Sequence, residues 1–467
     1  MTHICNIMAE LCSEIIKSFP DETIFVKYGC LSLNRRKEML RDISQNMAQL
    51  FEVPDDSGGQ LSVIRQLKEN DLNDSLYSEL EEYISTLQSR GDHFAMIALA
   101  QVIDEALKTL LLEKIRAYQT DDFSVVLNTN RETTGIGLLP RCSCIWERKH
   151  RLSHSYNRLD NYLFHFLLME NSILGELIDK HIFLKNNIFP GFPVHRQLKI
   201  AASPVGAEKH FAYKCYTKKD IQYFSISYDK TKTENDNKEI WEKIRKSGEN
   251  QCDIMIFPEV LGNCETQDYI RQRLISLSAE DQNKMPSLII LPSVLENNMN
   301  TVTVLDRFGN IICRQSKQYP FCLKHNGTVW LEDIRTNMVV NILHYEGVGR
   351  MAILVCKDFL TTKYMEQLMR CFKLTLIIVP SFSTGSYDFC QSFDVCAHDD
   401  CNVIWINTCA AIEKGKEANF KNIGYVRKRI GRNDDDSQKL CEMPVCDGAF
   451  RGECSRDCIY FETIRGV

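Results

Sequence analysis

The sequence predicts an α/β domain in the C-terminal half, preceded by an all-α region, and three observations carry that reading. Short apolar, β-prone runs recur after residue 220, among them LTLIIVPSF (374–382) and NVIWINT (402–408). Three such segments close on one reactive side chain each: IFPE on Glu259, RQSK on Lys317 and ILVCKD with its thiol at Cys356. Neighbouring strands of an α/β sheet can bring residues at their ends together. The first 190 residues instead repeat the period of amphipathic helices.

Composition sets the frame. With 467 residues, 44% hydrophobic and 25% charged, the chain has apolar content for ordinary cores and length for two or three domains. A formal net charge of −6 supplies no general attraction to nucleic acid or an anionic membrane. No apolar run approaches the roughly 20 residues that cross a bilayer, so no membrane partner is expected. The opening MTHICNIMAELCSEIIKSF puts Glu10 and Glu14 at helical spacing without a cleavage site, which predicts an amphipathic helix and not a signal peptide. Most of the 20 cysteines read as small buried hydrophobes in a reducing, cytoplasmic setting.

Taken in order, helices are expected over RRKEMLRDISQNMAQLFEV (35–53), LNDSLYSELEEYISTLQSR (72–90), HFAMIALAQVIDEALKTLLLEKIRAY (93–118) and DNYLFHFLLMENSILGELIDKHI (160–182), with DDSGG (55–59) as a break. These divide the first half into a helical segment at 1–59 and a bundle at 60–190. A connection rich in Pro and Gly is set at 191–219, and the α/β domain at 220–467. DIQYFSISYD (220–229) is expected as its first strand, DKTKTENDN (229–237) as a polar break, NKEIWEKIRKSGEN (237–250) as a helix and DIMIFPE (253–259) as the second strand. TVTVLDRFGNIICRQSK (301–317) reads as a hairpin turning at Phe308-Gly309-Asn310.

The three reactive residues suit one chemistry. A cysteine attacks carbonyl carbon as thiolate, so it needs a base and a positive charge facing the oxyanion. Glu259 can take the thiol proton and return it to the leaving amine, and Lys317 can hold the oxyanion, a contribution commonly worth a few kcal/mol. The order Glu, Lys, Cys, with Phe257-Pro258 before the acid and Asp358 two residues after the thiol, resembles the nitrilase superfamily of carbon–nitrogen hydrolases. The likeness runs from about Ile221 to Ile464. It implies a nitrilase-like αββα four-layer sandwich, a small-molecule amide substrate, a thioester at Cys356, homo-oligomerisation and no required cofactor. An amine acceptor in place of water would make the site an acyltransferase. Glu332 in TVWLEDI is the candidate for the family's second acid. Lys357 departs from the aromatic or small residue usual after the nucleophile. Phe321, Trp330, Lys357, Asp358 and Tyr387 are candidate pocket residues, and their aromatic members favour an apolar or aromatic acyl group.

Two further motifs stand outside this scheme. ERKHRLSHSYNRLDNYLFHFLL (147–168), with Arg148, His154 and Tyr156, resembles the signature of HEPN domains, and 89–112 resembles their long first helix. That likeness implies RNA as a partner and metal-independent RNA cleavage, in which histidine handles protons and arginine holds phosphate. The alternative function is then a ribonuclease toxin or antiviral defence effector, with the nitrilase-like domain as sensor or oligomerisation module. A solvated basic run and a non-catalytic scaffold are the plainer readings. Cys441, Cys446, Cys454 and Cys458, separated by four, seven and three residues, are a candidate structural zinc set without paired C-x2-C knuckles. The chain carries no G-x-x-x-x-G-K-[ST], no G-x-G-x-x-G after a strand and no H-E-x-x-H.

Overall fold

The computed structural model describes residues 1–19, 23–52, 62–119, 126–147, 158–206, 209–325, 327–412, 421–429, 440–446, 448–449 and 457–465. The chain forms two compact units, one of Met1–Ser143, Arg148–Gly175 and Arg370–Phe372, the other of Cys144–Glu147, Glu176–Met369 and Lys373–Val467.

Helices Thr2–Ser18, Leu33–Asn46, Asp74–Arg90, His93–Ala106 and Lys108–Tyr118 dominate the first unit. Their ends follow local chemistry. Ser32, Asn73 and Asp92 each accept a backbone N–H of the first turn as N-caps, and Gly91 closes Asp74–Arg90 in the left-handed conformation. Ile4, Met8, Leu11 and Ile15 form the buried stripe of Thr2–Ser18 that the sequence periodicity predicts. The expectation of a helix over 160–182 is corrected. Phe166–Glu170 is a strand antiparallel to Ile136–Pro140, and Ile178–Phe183 is a strand of the second unit. A short apolar run satisfies either period, and a pairing partner decides it. The DDSGG break and the HEPN-like Arg148, His154 and Tyr156 lie outside the described residues.

The second unit rests on two mixed seven-stranded sheets. In the first, Gln197–Ala202, Ile254–Ile256 and Leu288–Ile290 run parallel, flanked by antiparallel Tyr460–Arg465 on one side and the Met299–Asp306/Ile311–Ser316 hairpin on the other. In the second, Gly349–Ile353, Leu376–Pro380 and Asn402–Ile406 run parallel, flanked by Val339–Tyr345 and Asn422–Arg427. Ile254–Ile256, Leu288–Ile290, Leu376–Pro380 and Asn402–Ile406 are buried throughout and almost wholly apolar, as strands covered on both faces are. Helix Thr233–Glu249 begins inside the expected polar break and buries Ile240, Trp241 and Ile244 in one core with Ala201, Met255 and Ile289. The hairpin turns where expected: Gly309 takes φ +84°, and Asp306 Oδ1 accepts the N–H groups of Phe308 and Asn310. Gln315 bridges the sheets, donating to the Val339 carbonyl at 3.0 Å and accepting from the Asn341 N–H at 2.9 Å.

Two boundaries are corrected. The strand beside Ile254–Ile256 is Gln197–Ala202, which lies in the expected 191–219 linker, and Phe211–Lys218 is also a strand. DIQYFSISYD does form a strand, Ile221–Tyr228, but in a separate four-stranded sheet ordered Cys322–His325, Thr328–Glu332, Ile221–Tyr228, Phe211–Lys218. No helix among the described residues is long and apolar enough to cross a membrane.

Candidate active site

Register places the side chains. Glu259 follows Ile254–Ile256, and Lys317 follows Ile311–Ser316 directly opposite Asn300, whose carbonyl accepts the Lys317 N–H at 2.8 Å. Cys356 opens a 3-10 turn after Gly349–Ile353 with φ +49°, a left-handed conformation that costs a non-glycine residue about 1–2 kcal/mol. Glu332 ends Thr328–Glu332 in the four-stranded sheet. The two sheets and the smaller one therefore each deliver part of the cluster.

The geometry is close and dry. Lys317 Nζ lies 2.8 Å from Glu259 Oε1 and 2.7 Å from Glu332 Oε2. Glu259, Lys317, Glu332 and Cys356 are each at most 4% exposed. Asn300 Nδ2 donates to Glu259 Oε1 at 2.8 Å and to Glu332 Oε1 at 3.2 Å, tying the two carboxylates together. The Phe382 N–H donates to Glu259 Oε2 at 2.9 Å and also faces the Cys356 sulfur, while the Phe321 N–H donates to Glu332 Oε2 at 2.9 Å. Burial alone would deprotonate Lys317, but Glu259 and Glu332 outweigh it and hold the ammonium well above its usual range.

Burial pushes the Cys356 thiol up, and the neighbouring Glu259 charge pushes it further, against the smaller pull of Lys317 and the Phe382 N–H. Cys356 is therefore expected to rest as a thiol hydrogen-bonded to Glu259. Alkylation by iodoacetamide is accordingly expected to climb with pH through about pH 9, without the neutral plateau of a low-pKa thiolate; mass spectrometry of the Cys356 peptide reads it.

Asp358 serves the site from behind. It accepts the backbone N–H of Gln318 at 2.9 Å and of Tyr319 at 2.8 Å, fixing the chain just after Lys317. Burial raises its pKa from 3.8 to about 7, only partly offset by Lys317 and those N–H groups. A carboxyl whose folded pKa is raised contributes stability that is complete below its unfolded pKa and lost as pH rises through the folded value. The stability advantage of the wild type over Asp358→Asn is thus expected to shrink by a few kcal/mol (order of magnitude) from about pH 4 to pH 7. Denaturant titrations at a series of pH values measure it.

A cavity of about 480 Å³ opens over Cys356, Glu259, Lys317 and Glu332. Its wall is one face of the four-stranded sheet. Cross-strand pairing of Tyr213 with Ile226 and of Glu332 with Phe224 puts Tyr213, Ile226, Phe224 and Glu332 on the same side, with Phe211 and Leu323 in step. Of the expected pocket residues, Phe321 lines the cavity. Trp330, Lys357 and Tyr387 are not among the residues lining it: Trp330 shares the sheet face of Leu323 and Glu332 without reaching the cavity, Lys357 sits in the 3-10 turn, and Tyr387 is 73% exposed at a helix start. Asp358 is buried beneath the site.

Sequence reading missed Asn300, Lys209, Phe211, Tyr213, Phe224 and Phe382. Only Asn300 had a signal, since a turn at Phe308-Gly309-Asn310 puts it opposite Lys317. Of the proposed zinc ligands, Cys454 lies outside the described residues, and Cys441 hydrogen-bonds with Glu462 and Lys428. Among the described residues no group of three or more His, Cys, Asp or Glu could hold a metal ion.

Fold and site together define a mixed α/β unit with a cysteine-centred cluster of two carboxylates and one ammonium. No protein-family model and no curated protein matches the chain. Among solved structures it is similar to an amidase from Nesterenkonia sp., at 13% identity over 58% of this chain and 90% of that one, with a TM-score of 0.39. It is also similar to the C. elegans NitFhit protein, at 13% identity over 58% of this chain and 61% of that chain, with a TM-score of 0.36. A variant of the Nesterenkonia AN1 amidase, described as from the nitrilase superfamily, is 13% identical over 56% of this chain and 96% of that chain, with a TM-score of 0.36.

Proposed function

We propose that the second unit is a nitrilase-like αββα sandwich that hydrolyses a non-peptide carbon–nitrogen bond, most simply a linear amide. The observation that carries the reading is the contact of Lys317 with both Glu259 and Glu332 beside the buried Cys356 at the floor of a cavity. Glu259 takes the thiol proton as sulfur bonds to the carbonyl carbon, and Lys317 with the Phe382 N–H faces the negative charge that develops on oxygen. The C–N bond then breaks, Glu259 hands its proton to the departing amine, and a thioester remains on Cys356. Water, deprotonated by Glu259, attacks the thioester carbonyl and releases the acid, and the proton returns to sulfur. Glu332 and Asn300 hold Lys317 and Glu259 in register throughout.

The test is ammonia release from a panel of primary amides, with Cys356→Ala as control and intact-mass detection of the acyl-enzyme. Turnover confined to the wild type, with an acyl adduct on Cys356, supports the reading. An unmodified thiol and no ammonia from any amide overturn it. An acyl adduct that persists in water and is released only to a particular amine acceptor would make the chain an acyltransferase.

A further inference from the structure

We infer that the outer face of the four-stranded sheet binds single-stranded RNA, with bases stacked on Tyr216 and Tyr223 and phosphates held by Lys214, Lys218 and Lys324. The inference goes beyond the hydrolase reading and does not depend on it. Side chains alternate along a strand, so the neighbours of cavity-facing residues turn the other way. Phe211 and Tyr213 face the cavity, which sends Lys214, Tyr216 and Lys218 to the opposite side. Phe224 and Ile226 likewise send Ile221, Tyr223 and Ser225 outward, and Leu323 and Glu332 do the same for Lys324, Val329 and Leu331. Register then sets the rows. Cys322, Leu331, Tyr223 and Tyr216 pair in succession across all four strands, while Lys324 pairs with Val329, Lys218 with Ile221 and Lys214 with Ser225. Ile221 and Val329 are 47% and 49% exposed and the three lysines are exposed, so this side meets solvent.

Charge and ring geometry select the occupant. Within the four strands no acidic residue lies on this side, although the chain as a whole carries a formal charge of −6. The side chains of Lys214, Lys218 and Lys324 make no hydrogen bond or ion pair among the described residues, so their ammonium groups are available to an anionic partner. The nearest acids are Asp220, beside Lys219 in the turn, and Asp333, just past Thr328–Glu332. On Phe211–Lys218 the order of outward side chains is Lys214, Tyr216, Lys218, so cation, ring and cation alternate. The Tyr216 and Tyr223 rings stand 6.1 Å apart and only 26° from parallel. Asp333 accepts the Tyr216 hydroxyl and, at 2.8 Å, the Asn298 amide, which pins the first ring in place. Aromatic faces take any base while neighbouring positive charge tracks the phosphates, and this sheet offers both. An acidic protein would use the lysines and leave the rings idle, and an anionic bilayer would have to bury the Asp333 carboxylate. RNA suits better than DNA because the Ser225 hydroxyl, without a hydrogen bond among the described residues, stands beside Tyr223 and opposite Lys214, where a ribose 2′-hydroxyl can pair with it.

The test is fluorescence anisotropy of a labelled oligoadenylate RNA dodecamer titrated with the full chain. The wild type is expected to bind with a Kd of roughly 10 μM at low salt, and log K to fall against log salt with a slope of about −2, from about −0.7 for each of three neutralised phosphates. Lys214→Gln, Lys218→Gln and Lys324→Gln combined are expected to flatten that slope and weaken binding by at least about tenfold. Tyr223→Leu is expected to weaken binding by roughly tenfold with the slope unchanged, since it removes a ring and no charge, and Tyr223→Phe to bind as the wild type does. Circular dichroism checks that each variant is folded, and Lys27→Gln with Lys37→Gln, two exposed lysines of the first unit, is expected to leave binding unchanged. The deoxy oligomer is expected to bind more weakly than the RNA. No RNA binding at low salt, RNA binding unchanged in the triple lysine variant, or DNA bound as tightly as RNA each overturns the inference. Binding to phosphatidylserine vesicles, or dimerisation seen in sedimentation, that the triple variant loses while RNA is not bound also overturns it, and gives the face to a membrane or to a second copy of the chain.

Discussion

Lys317→Met is expected to destabilise the second unit by about 3–5 kcal/mol and to lower turnover by roughly 10²–10³-fold. The ammonium is buried between two buried carboxylates at 2.8 and 2.7 Å. Removing it leaves Glu259 and Glu332 facing each other with only Asn300 between them, and a buried charge that loses its partner costs far more than an intact pair contributes. All four tryptophans, Trp146, Trp241, Trp330 and Trp405, belong to the second unit, so denaturant titration followed by tryptophan fluorescence reports on it. The triple variant Glu259→Gln, Lys317→Met, Glu332→Gln removes the cation and both carboxylates together. It is expected to regain most of the lost stability and none of the activity. A triple variant as unstable as the single one would show that packing by the lysine stem, and not charge pairing, holds the cluster.

Cys356 gives the second large effect. On the proposed mechanism, Cys356→Ala is expected to abolish turnover, by at least about 10⁴-fold, because it removes the sulfur that would form the thioester. The same position tests backbone strain. With φ at +49°, alanine keeps the cost of the left-handed region, whereas glycine does not. Cys356→Gly is therefore expected to be about 1 kcal/mol more stable than Cys356→Ala, the reverse of the usual order in regular structure. Equal stabilities, or a more stable alanine variant, would mean that the turn relaxes and stores no strain for presenting the sulfur.

The positions of Glu259, Lys317 and Cys356 at strand ends were legible because each closes an apolar run, and a strand end is a local property. Glu332 was legible only through the order of residues in a resemblance. The structure places it against Lys317, although it arrives on a sheet that the sequence reading did not foresee. The misassigned first strand shows why. QLKIAA (197–202), which falls in the expected linker, and DIQYFSISYD are both β-prone, and only the longer, more aromatic segment was expected as a strand. Parallel pairing of Ala201 with Met255, more than fifty residues along the chain, put the shorter one in the main sheet. The longer one became the cavity roof by pairing with residues more than a hundred positions away. Likewise Ile178–Phe183 satisfies a helical period, yet its parallel partner Val339–Tyr345 draws it out as a strand.

What the sequence by itself determined was local: the capped helices of the first unit, the Asp306–Asn310 turn, and the positions of a thiol, an ammonium and a carboxylate at the ends of strands. Hydrophobic period, turn chemistry and capping act over a few residues and are written in the order of residues. The tertiary structure decided which strands share a sheet, that Asn300 ties Glu259 to Glu332, and that Phe211, Tyr213 and Phe224 of one hairpin close over Cys356 with Phe321 and Phe382 from other segments. Those outcomes depend on pairings across tens to hundreds of residues, where many strands have equal local preference and burial of the whole set selects one arrangement.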